Sequence, residues 1–196
     1  MVAKGYFIQY KFILPENTKH SSYSYQKLFR ALYGYTQNVS KSSGKTYTYH
    51  RPGVLTGTPH IRPGKNCVII PRENFQSLIS FFKTGINPAH KWRTKGDWKA
   101  VYYMNEKEIG DDDVLRALHE LVDSHYVKTG EGSHSKVIEE LEIISNAKKS
   151  SANYDRAYAK NVVDEAQKII SGPWFSEYKN KSQKLIDFAN LVYSLR

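Results

Sequence analysis

Tyr6-Phe7-Ile8-Gln9-Tyr10-Lys11-Phe12-Ile13-Leu14 is the stretch that decides the fold of the N-terminal half. It is rich in aromatic and β-branched residues, which favour extended backbone, and Pro15 ends it. We therefore predict a β-strand over residues 6–14.

Two amphipathic helices are predicted in the same half. Apolar residues recur there at positions i, i+3, i+4 and i+7, the spacing that lines one face of a helix. The two sets are Tyr25, Leu28, Phe29 and Leu32, and then Phe75, Leu78, Ile79 and Phe82. Ser21 or Ser22 can cap the first helix, and Gly85 can end the second.

Three further strands are predicted over residues 45–51, 66–71 and 98–104. The first of them follows a turn at Ser42-Ser43-Gly44, so it belongs to a hairpin. The order of these elements predicts an α+β fold, in which both helices cover one face of a mainly antiparallel sheet.

After Glu106 the composition becomes acidic and the spacing of apolar residues becomes that of helices. Four amphipathic helices are predicted in this part, the first beginning at Asp111, two near residues 135–148 and 152–170, and one after Gly172-Pro173. We therefore predict a basic α+β domain over residues 1–105. An acidic helical unit over residues 106–196 would pack on it or beside it.

The charge of the chain is divided between these two parts. The whole carries a net charge of +10, but residues 1–100 hold 16 Lys/Arg against 3 Asp/Glu, a net +13. Residues 101–196 hold the other 13 basic and 16 acidic residues, a net −3. A segment of this positive charge repels itself unless a polyanion neutralises it, and nucleic acid is the commonest polyanion that proteins bind.

One set of cations and aromatic residues in the basic half has the chemistry of a nucleic-acid surface. Lysine and arginine bind phosphates, and tyrosine and tryptophan stack on unpaired bases. We favour RNA or single-stranded DNA over duplex DNA, because the aromatic content suits stacking and no recognition helix is evident. The predicted contacts are Lys41, Lys45, Tyr47, Tyr49, Arg51, Arg62 and Lys65 in residues 41–65, and Lys91, Trp92, Arg93 and Lys95 in residues 90–99. Against this, any single tyrosine of the set can equally well cover a sheet face beneath a helix, with the cations as its solvated rim.

A metal-independent nuclease is the first alternative. Cleavage with two metal ions needs several carboxylates, and the first hundred residues hold only Glu16, Glu73 and Asp97. RNA cleavage without metal needs a base, an acid and a cation, and the candidate catalytic residues for it are His50, His60 and Tyr49. No metal ion and no cofactor is predicted.

Two motifs resemble known sites but lack essential residues. Ser43-Gly44-Lys45-Thr46 has the end of a P-loop, but Val39 stands where the first glycine is required, so a basic hairpin tip is predicted instead. His119-Glu120-Leu121-Val122-Asp123 has the start of a zinc-protease helix, but Asp123 replaces the second histidine.

A non-enzymatic assembly protein is the second alternative. In that case the basic half would bind an acidic protein, or the acidic half of a second copy would make a homodimer. The chain has no run of about 20 apolar residues and no signal-peptide pattern, and its single cysteine excludes an internal disulfide. These features lead us to expect an intracellular, cytoplasmic protein without a membrane segment.

Overall fold

The protein has the predicted α+β fold, an N-terminal antiparallel sheet with helices followed by a region of several helices. The structure is a computed structural model that describes residues 2–16, 18–19, 21–87, 92–93, 97–130 and 132–196, with only the backbone described at residues 92 and 93. The strands are β1 Ala3–Ile13, β2 Tyr35–Ser40, β3 Thr46–Arg51, β4 Cys67–Pro71, β5 Ile86–Asn87, β6 Trp92–Arg93, β7 Lys99–Ile109, β8 Tyr126–Lys128 and β9 His134–Lys136. The helices are α1 Tyr23–Tyr33, α2 Phe75–Thr84, α3 Asp111–Ser124, α4 Val137–Lys149, α5 Arg156–Ile170, α6 Phe175–Tyr178 and α7 Gln183–Ser194.

The chain forms two compact units whose limits differ from the predicted boundary after residue 105. The first unit comprises residues 1–36 and 51–113, and the second comprises residues 37–50 and 114–196. The hairpin of residues 37–50 therefore belongs with the helical unit. By sequence, the first unit holds 15 Lys/Arg against 8 Asp/Glu, a net +7, and the second holds 14 against 11, a net +3.

The first unit is built on a three-stranded sheet in the order β4-β1-β7. β1 is the central strand and pairs antiparallel with both neighbours, with β7 from Ala3↔Ile109 to Ile13↔Lys99 and with β4 from Gly5↔Pro71 to Gln9↔Cys67. The β4 pairing ends at Gln9, so the last residues of β1 extend beyond β4.

One face of this sheet carries the core of the first unit. Ile8, Tyr10 and Phe12 alternate along β1 and are buried against α1 and α2, whose inward residues include Leu32 and Phe82. This places both helices on one face, as the sequence predicts. Gln9, Lys11 and Ile13 alternate with the buried residues and are exposed on the opposite face.

The loop after β3 is fixed against the end of α1. The amides of Val54 and Leu55 donate to the carbonyls of Ala31 and Leu32, each at 2.9 Å, and so satisfy acceptors that a helix end leaves open. Gly53 makes this approach possible, because a Cβ there would lie 2.2 Å from the backbone nitrogen of Gly34. The glycine- and proline-rich loop is therefore an ordered platform.

The second unit contains the predicted helices, with two differences from the sequence analysis. The chain after α3 forms a short hairpin, β8–β9, where the sequence predicts no strand. The fourth predicted helix is divided into α6, a 3₁₀ turn at Lys179–Lys181, and α7, because Ser182 has an extended backbone that cannot continue a helix. The core of the second unit includes Leu118, Leu141, Phe175 and Phe188.

The hairpin β2–β3 forms a separate two-stranded sheet. The Lys41 amide donates to the Lys45 carbonyl at 2.9 Å, and Gly44 has a φ of +77° that favours glycine. Residues 43–46 are thus a hairpin tip, which confirms that prediction and rules out a P-loop. None of the described helices is both long enough and apolar enough to cross a membrane.

Candidate nucleic-acid interface

A cavity of about 500 Å³ lies in the first unit, beside the part of β1 that extends beyond β4. Its walls come from four segments of the chain, namely residues 9–12 of β1, residues 101–103 of β7, Tyr25 of α1, and the pair Lys65 and Asn66 before β4. The volume falls within the range of about 300–1,000 Å³ that is usual for small-ligand sites.

The lining combines the three kinds of group that bind a nucleotide. Five aromatic residues, two lysines and two amide side chains line it, for bases, phosphate and base edges respectively; Tyr25, Tyr102 and Tyr103 are accessible for stacking, whereas Tyr10 and Phe12 are buried in the core. These groups are Tyr10, Phe12, Tyr25, Tyr102 and Tyr103, then Lys11 and Lys65, then Gln9 and Asn66. No carboxylate is among the described lining residues, so nothing in the lining opposes a phosphate.

The outward face of the sheet continues this surface. Lys11 pairs with Val101 and Gln9 with Tyr103 across β1 and β7. Tyr103 is 62% exposed and Val101 is 50% exposed, which is unusual for residues at the middle of a long strand. The outward positions of β1 and β7 carry Lys11, Lys99 and Lys107 and no acidic residue.

Most of the acidic residues of the first unit are placed at one end of it. Five of its eight carboxylates lie between Glu106 and Asp113, at the end of β7 and the start of α3. Glu106 is held in ion pairs with Arg72 and, at 3.8 Å, with Lys4. The cavity therefore lies in the part of the unit where positive charge predominates.

A pair of tyrosines connects the cavity to the loop before β4. The Tyr10 and Tyr33 hydroxyls are hydrogen-bonded at 2.9 Å. Burial raises the pKa of Tyr10 well above its ordinary value, and it also raises the pKa of Tyr33. Both phenols therefore stay protonated at physiological pH, and each can donate a hydrogen bond.

His60 and Arg62 both lie close to the Tyr33 ring. The guanidinium carbon of Arg62 is 4.5 Å from the Tyr33 ring centroid, and the His60 ring centroid is 5.8 Å from it. Ile61, which stands between them in the sequence, is buried and pairs with Ile69 through two backbone hydrogen bonds. His60 and Arg62 therefore lie together on the face of this segment opposite to the Ile61 side chain. His60 Nδ1 donates to the Thr58 carbonyl at 2.9 Å, so in neutral His60 the basic nitrogen is Nε2.

The predicted hairpin residues lie on β2–β3. Lys41 and Lys45 are exposed at the tip, and the Lys41 ammonium lies 4.4 Å above the Tyr47 ring. Tyr47 and Tyr49 are half-buried, and Arg51 is exposed. By unit membership, the hairpin residues up to His50 belong to the second unit, whereas Arg51, His60, Arg62 and Lys65 belong to the first.

His50 occupies a structural position within the second unit. Its ring is stacked on Tyr126 with centroids 4.6 Å apart, and the His134 ring is 6.4 Å away. Its Nε2 atom is buried, so that nitrogen is shielded from an incoming substrate. His50 and His60 thus have separate surroundings, each within its own unit.

Four of the predicted contacts cannot be placed in full. Lys91 and Lys95 lie outside the described residues, and of Trp92 and Arg93 only the backbone, paired with β5, is described. Their assignment to nucleic acid stays a prediction.

Sequence reasoning missed most of the cavity. Of the nucleic-acid contacts that it predicted, only Lys65 is in the lining. Lys11, Tyr25 and Tyr103 were not among those contacts. The alternation along β1 was the one pattern that pointed to this surface. The polar residues Gln9 and Lys11 alternate there with buried residues, which indicates that they lie on the exposed face of the strand.

The residues that resemble a zinc-protease helix are engaged in other contacts. His119 Nε2 is hydrogen-bonded to Ser182 Oγ at 2.7 Å, and Asp123 forms an ion pair with Lys184 at 2.6 Å. Across the described part of the chain, no group of three or more His, Cys, Asp or Glu side chains is arranged to hold a metal ion.

Comparison of the chain with protein-family models, with curated proteins and with solved structures gives no match.

Proposed function

We propose that this protein binds nucleic acid, and that the cavity beside β1 holds an unpaired nucleotide of RNA or single-stranded DNA. The single observation that carries the proposal is the composition of the cavity, where three accessible tyrosine rings and two lysines line about 500 Å³ with no carboxylate among the described residues. Aromatic rings bind any base through its face, and each stacked base is worth about 1–3 kcal/mol.

The surroundings of the cavity support the same proposal. The strand would run over the outward sheet face from Tyr103 of the cavity, where Lys99 and Lys107 supply further positive charge. Arg62, on Tyr33 near the cavity, would bind a phosphate of the same strand through its guanidinium. Exposed aromatic residues and cations on one open face of a sheet suit single strands better than a duplex, whose bases are already stacked.

Metal-independent cleavage of RNA is a second candidate, and the grouping of His60, Arg62 and Tyr33 is the observation that favours it. His60 Nε2 would accept the proton of the 2′-hydroxyl, and Arg62 would offset the charge that develops on the phosphate. The protonated Tyr33 phenol would supply the proton for the leaving oxygen. This form of the alternative differs from the set His50, His60 and Tyr49 predicted from the sequence: His60 acts without His50, whose Nε2 is buried, and Tyr33 takes the place of Tyr49, which belongs to the second unit.

The test is a salt-series titration of the full chain against labelled single-stranded RNA, single-stranded DNA and duplex DNA, with each sample then run on a denaturing gel. Binding is expected to weaken steeply with salt, because each neutralised phosphate releases counterions. Intact oligonucleotide supports the binding function, and shortened RNA in the presence of EDTA supports the nuclease. Absence of binding at low salt overturns both, and light scattering then tests assembly with a second copy.

A further inference from the structure

The hairpin β2–β3 is not part of the cavity lining and has binding features of its own. Its described side chains from Gln37 to Thr46 are exposed apart from Val39, and it pairs with no other described strand. At about 3.3 Å per residue, its six-residue strands reach about 20 Å. No acidic residue occurs between Glu16 and Glu73, so the whole hairpin lies in a stretch of the chain without negative charge.

One face of the hairpin carries hydroxyl and amide groups. Ser40 Oγ and Thr46 Oγ1 are hydrogen-bonded at 3.1 Å, and Thr48 Oγ1 donates to Asn38 Oδ1 at 3.1 Å. These cross-strand bonds put Asn38, Ser40, Thr46 and Thr48 on the same face. The bond from Thr48 uses the carbonyl oxygen of the Asn38 amide, whose two N–H hydrogens are donors for another acceptor.

The base of the hairpin is fixed within the second unit. The Thr48 amide donates to Ser133 Oγ at 3.0 Å, and that hydroxyl donates to the Thr48 carbonyl at 3.2 Å. The stacking of His50 on Tyr126 adds a second attachment. A ribbon held in this way loses little conformational entropy when its tip meets a ligand.

We infer that the outer part of the hairpin enters the major groove of B-form duplex DNA. A two-stranded ribbon fits that groove, which is about 12 Å wide, whereas the major groove of an A-form RNA duplex is too narrow for side chains to read. Asn38, Ser40 and Thr46 would face base edges, and Lys41 and Lys45 would bind the phosphates beside the groove. This inference rests on the proposed function and narrows it, because it makes DNA the nucleic acid and adds a site for duplex DNA in the second unit to the single-strand site of the first.

The experiment compares the wild type with a variant carrying Lys41→Gln and Lys45→Gln. The matched control carries Lys149→Gln and Lys160→Gln, which removes the same charge from exposed helical positions of the same unit. Fluorescence anisotropy is measured with a short DNA duplex, an RNA duplex of the same sequence, and single-stranded DNA. All four lysines are exposed, and circular dichroism melting checks that each variant folds as the wild type does.

Weaker binding of the DNA duplex by the hairpin variant, but not by the control, is the expected result. Two lost phosphate contacts lower the slope of log K against log salt by about 2 and weaken binding to the DNA duplex roughly 10- to 100-fold at about 0.1 M salt. Binding to single-stranded DNA stays within about twofold, the control behaves as wild type, and the RNA duplex binds more weakly than the DNA duplex.

Two results overturn the inference while the proposed function stands. One is an unchanged affinity of the hairpin variant for the DNA duplex, and the other is an RNA duplex bound as tightly as the DNA duplex. If the wild type binds neither these three nucleic acids nor single-stranded RNA at low salt, the proposed function itself fails. The Asn38→Ala variant provides a second check, because loss of a base contact reduces discrimination between DNA sequences more than it reduces overall affinity.

Discussion

The imidazole of His50 lies flat on the ring of Tyr126, with ring centroids 4.6 Å apart and planes only 11° from parallel. Together with the two hydrogen bonds between Ser133 and Thr48, this stack joins β3 to the β8–β9 hairpin of the second unit. His50, a candidate catalytic residue in the sequence analysis, therefore has an attachment role. The exposed cations of its hairpin, Lys41 and Lys45, lie at the tip.

Ser133→Ala tests this attachment. The substitution leaves the Thr48 amide and carbonyl without the hydroxyl that satisfies both, which costs about 1–3 kcal/mol for partly buried groups. We expect hydrogen exchange at the Thr48 amide to become faster, with little change in the helices of the second unit. Ser176→Ala on α6 is the control, since Ser176 is exposed. Unchanged exchange at Thr48 would contradict the attachment role.

Tyr103 tests the stacking surface. Tyr103→Leu removes the ring, and we expect affinity for single-stranded nucleic acid to fall about 5- to 100-fold, the loss of one stacked base. Tyr103→Phe keeps the ring and should bind within about threefold of wild type. Tyr193→Leu on α7, also at an exposed tyrosine, is the control. Equal affinities of the Leu and Phe variants, measured by anisotropy, would show that Tyr103 does not stack on a base.

Gly53 tests whether the loop that carries His60 and Arg62 is packed on the end of α1. A Cβ at residue 53 would lie 2.2 Å from the Gly34 nitrogen and 2.6 Å from the Leu32 oxygen, both backbone atoms. Gly53→Ala should therefore lower the free energy of unfolding by about 2–3 kcal/mol or more. Gly64→Ala in the same loop meets nothing within 4 Å and should change it by less than about 0.5 kcal/mol. Urea denaturation of the two variants compares these costs, and similar values would mean that the loop is not packed on α1.

His125 predicts how stability depends on pH. Burial lowers the pKa of His125 below 6.5 despite the Glu165 carboxylate 3.4 Å from Nε2. Its Nδ1 is buried and has no hydrogen-bond partner among the described residues, so a proton there would have no acceptor. As the pH falls below 6.5, the unfolded chain takes up this proton before the folded chain does, and stability is lost.

The stability difference between the wild type and His125→Asn isolates this contribution. We expect the advantage of the wild type to shrink as the pH falls from 6.5 toward 4.5. Below that range Glu165 contributes as well. Burial opposes its ionisation, but Lys168 and His125 outweigh burial and hold the pKa of Glu165 below its usual range, so stability is lost again as that carboxylate takes up a proton. A difference independent of pH, measured by thermal melts, would contradict the buried neutral histidine.

Elements specified by local sequence pattern could be predicted, because periodicity and capping are properties of neighbouring residues. α1 begins after Ser22, whose hydroxyl accepts from the Tyr25 amide, and α2 ends at Gly85 with a φ of +67°. β7 was predicted to end at residue 104 but continues to Ile109 through the polar sequence Asn105-Glu106-Lys107-Glu108. Pairing with β1 along its full length stabilises residues that have low intrinsic strand preference.

The site was harder to predict, because its residues come from distant parts of the chain. Lys11, Lys65 and Tyr103 meet in one cavity only after the sheet forms. Thr48 and Ser133, whose hydrogen bonds attach the hairpin to the rest of the second unit, are 85 residues apart in sequence. The charge division was correct as a count, but folding redistributes it, since the acidic residues 106–113 belong to the first unit and the basic hairpin tip belongs to the second.

Photochemical cross-linking tests the central claim most directly, namely that the cavity beside β1 holds an unpaired nucleotide. The full chain is irradiated with a single-stranded oligonucleotide that carries a photoreactive base, and the cross-linked peptides are mapped by mass spectrometry. The account predicts cross-links to Tyr25 or Tyr103, and their loss when Lys11→Gln and Lys65→Gln are combined but not when Lys83→Gln is introduced. A bound oligonucleotide that cross-links only to residues outside the cavity would contradict it.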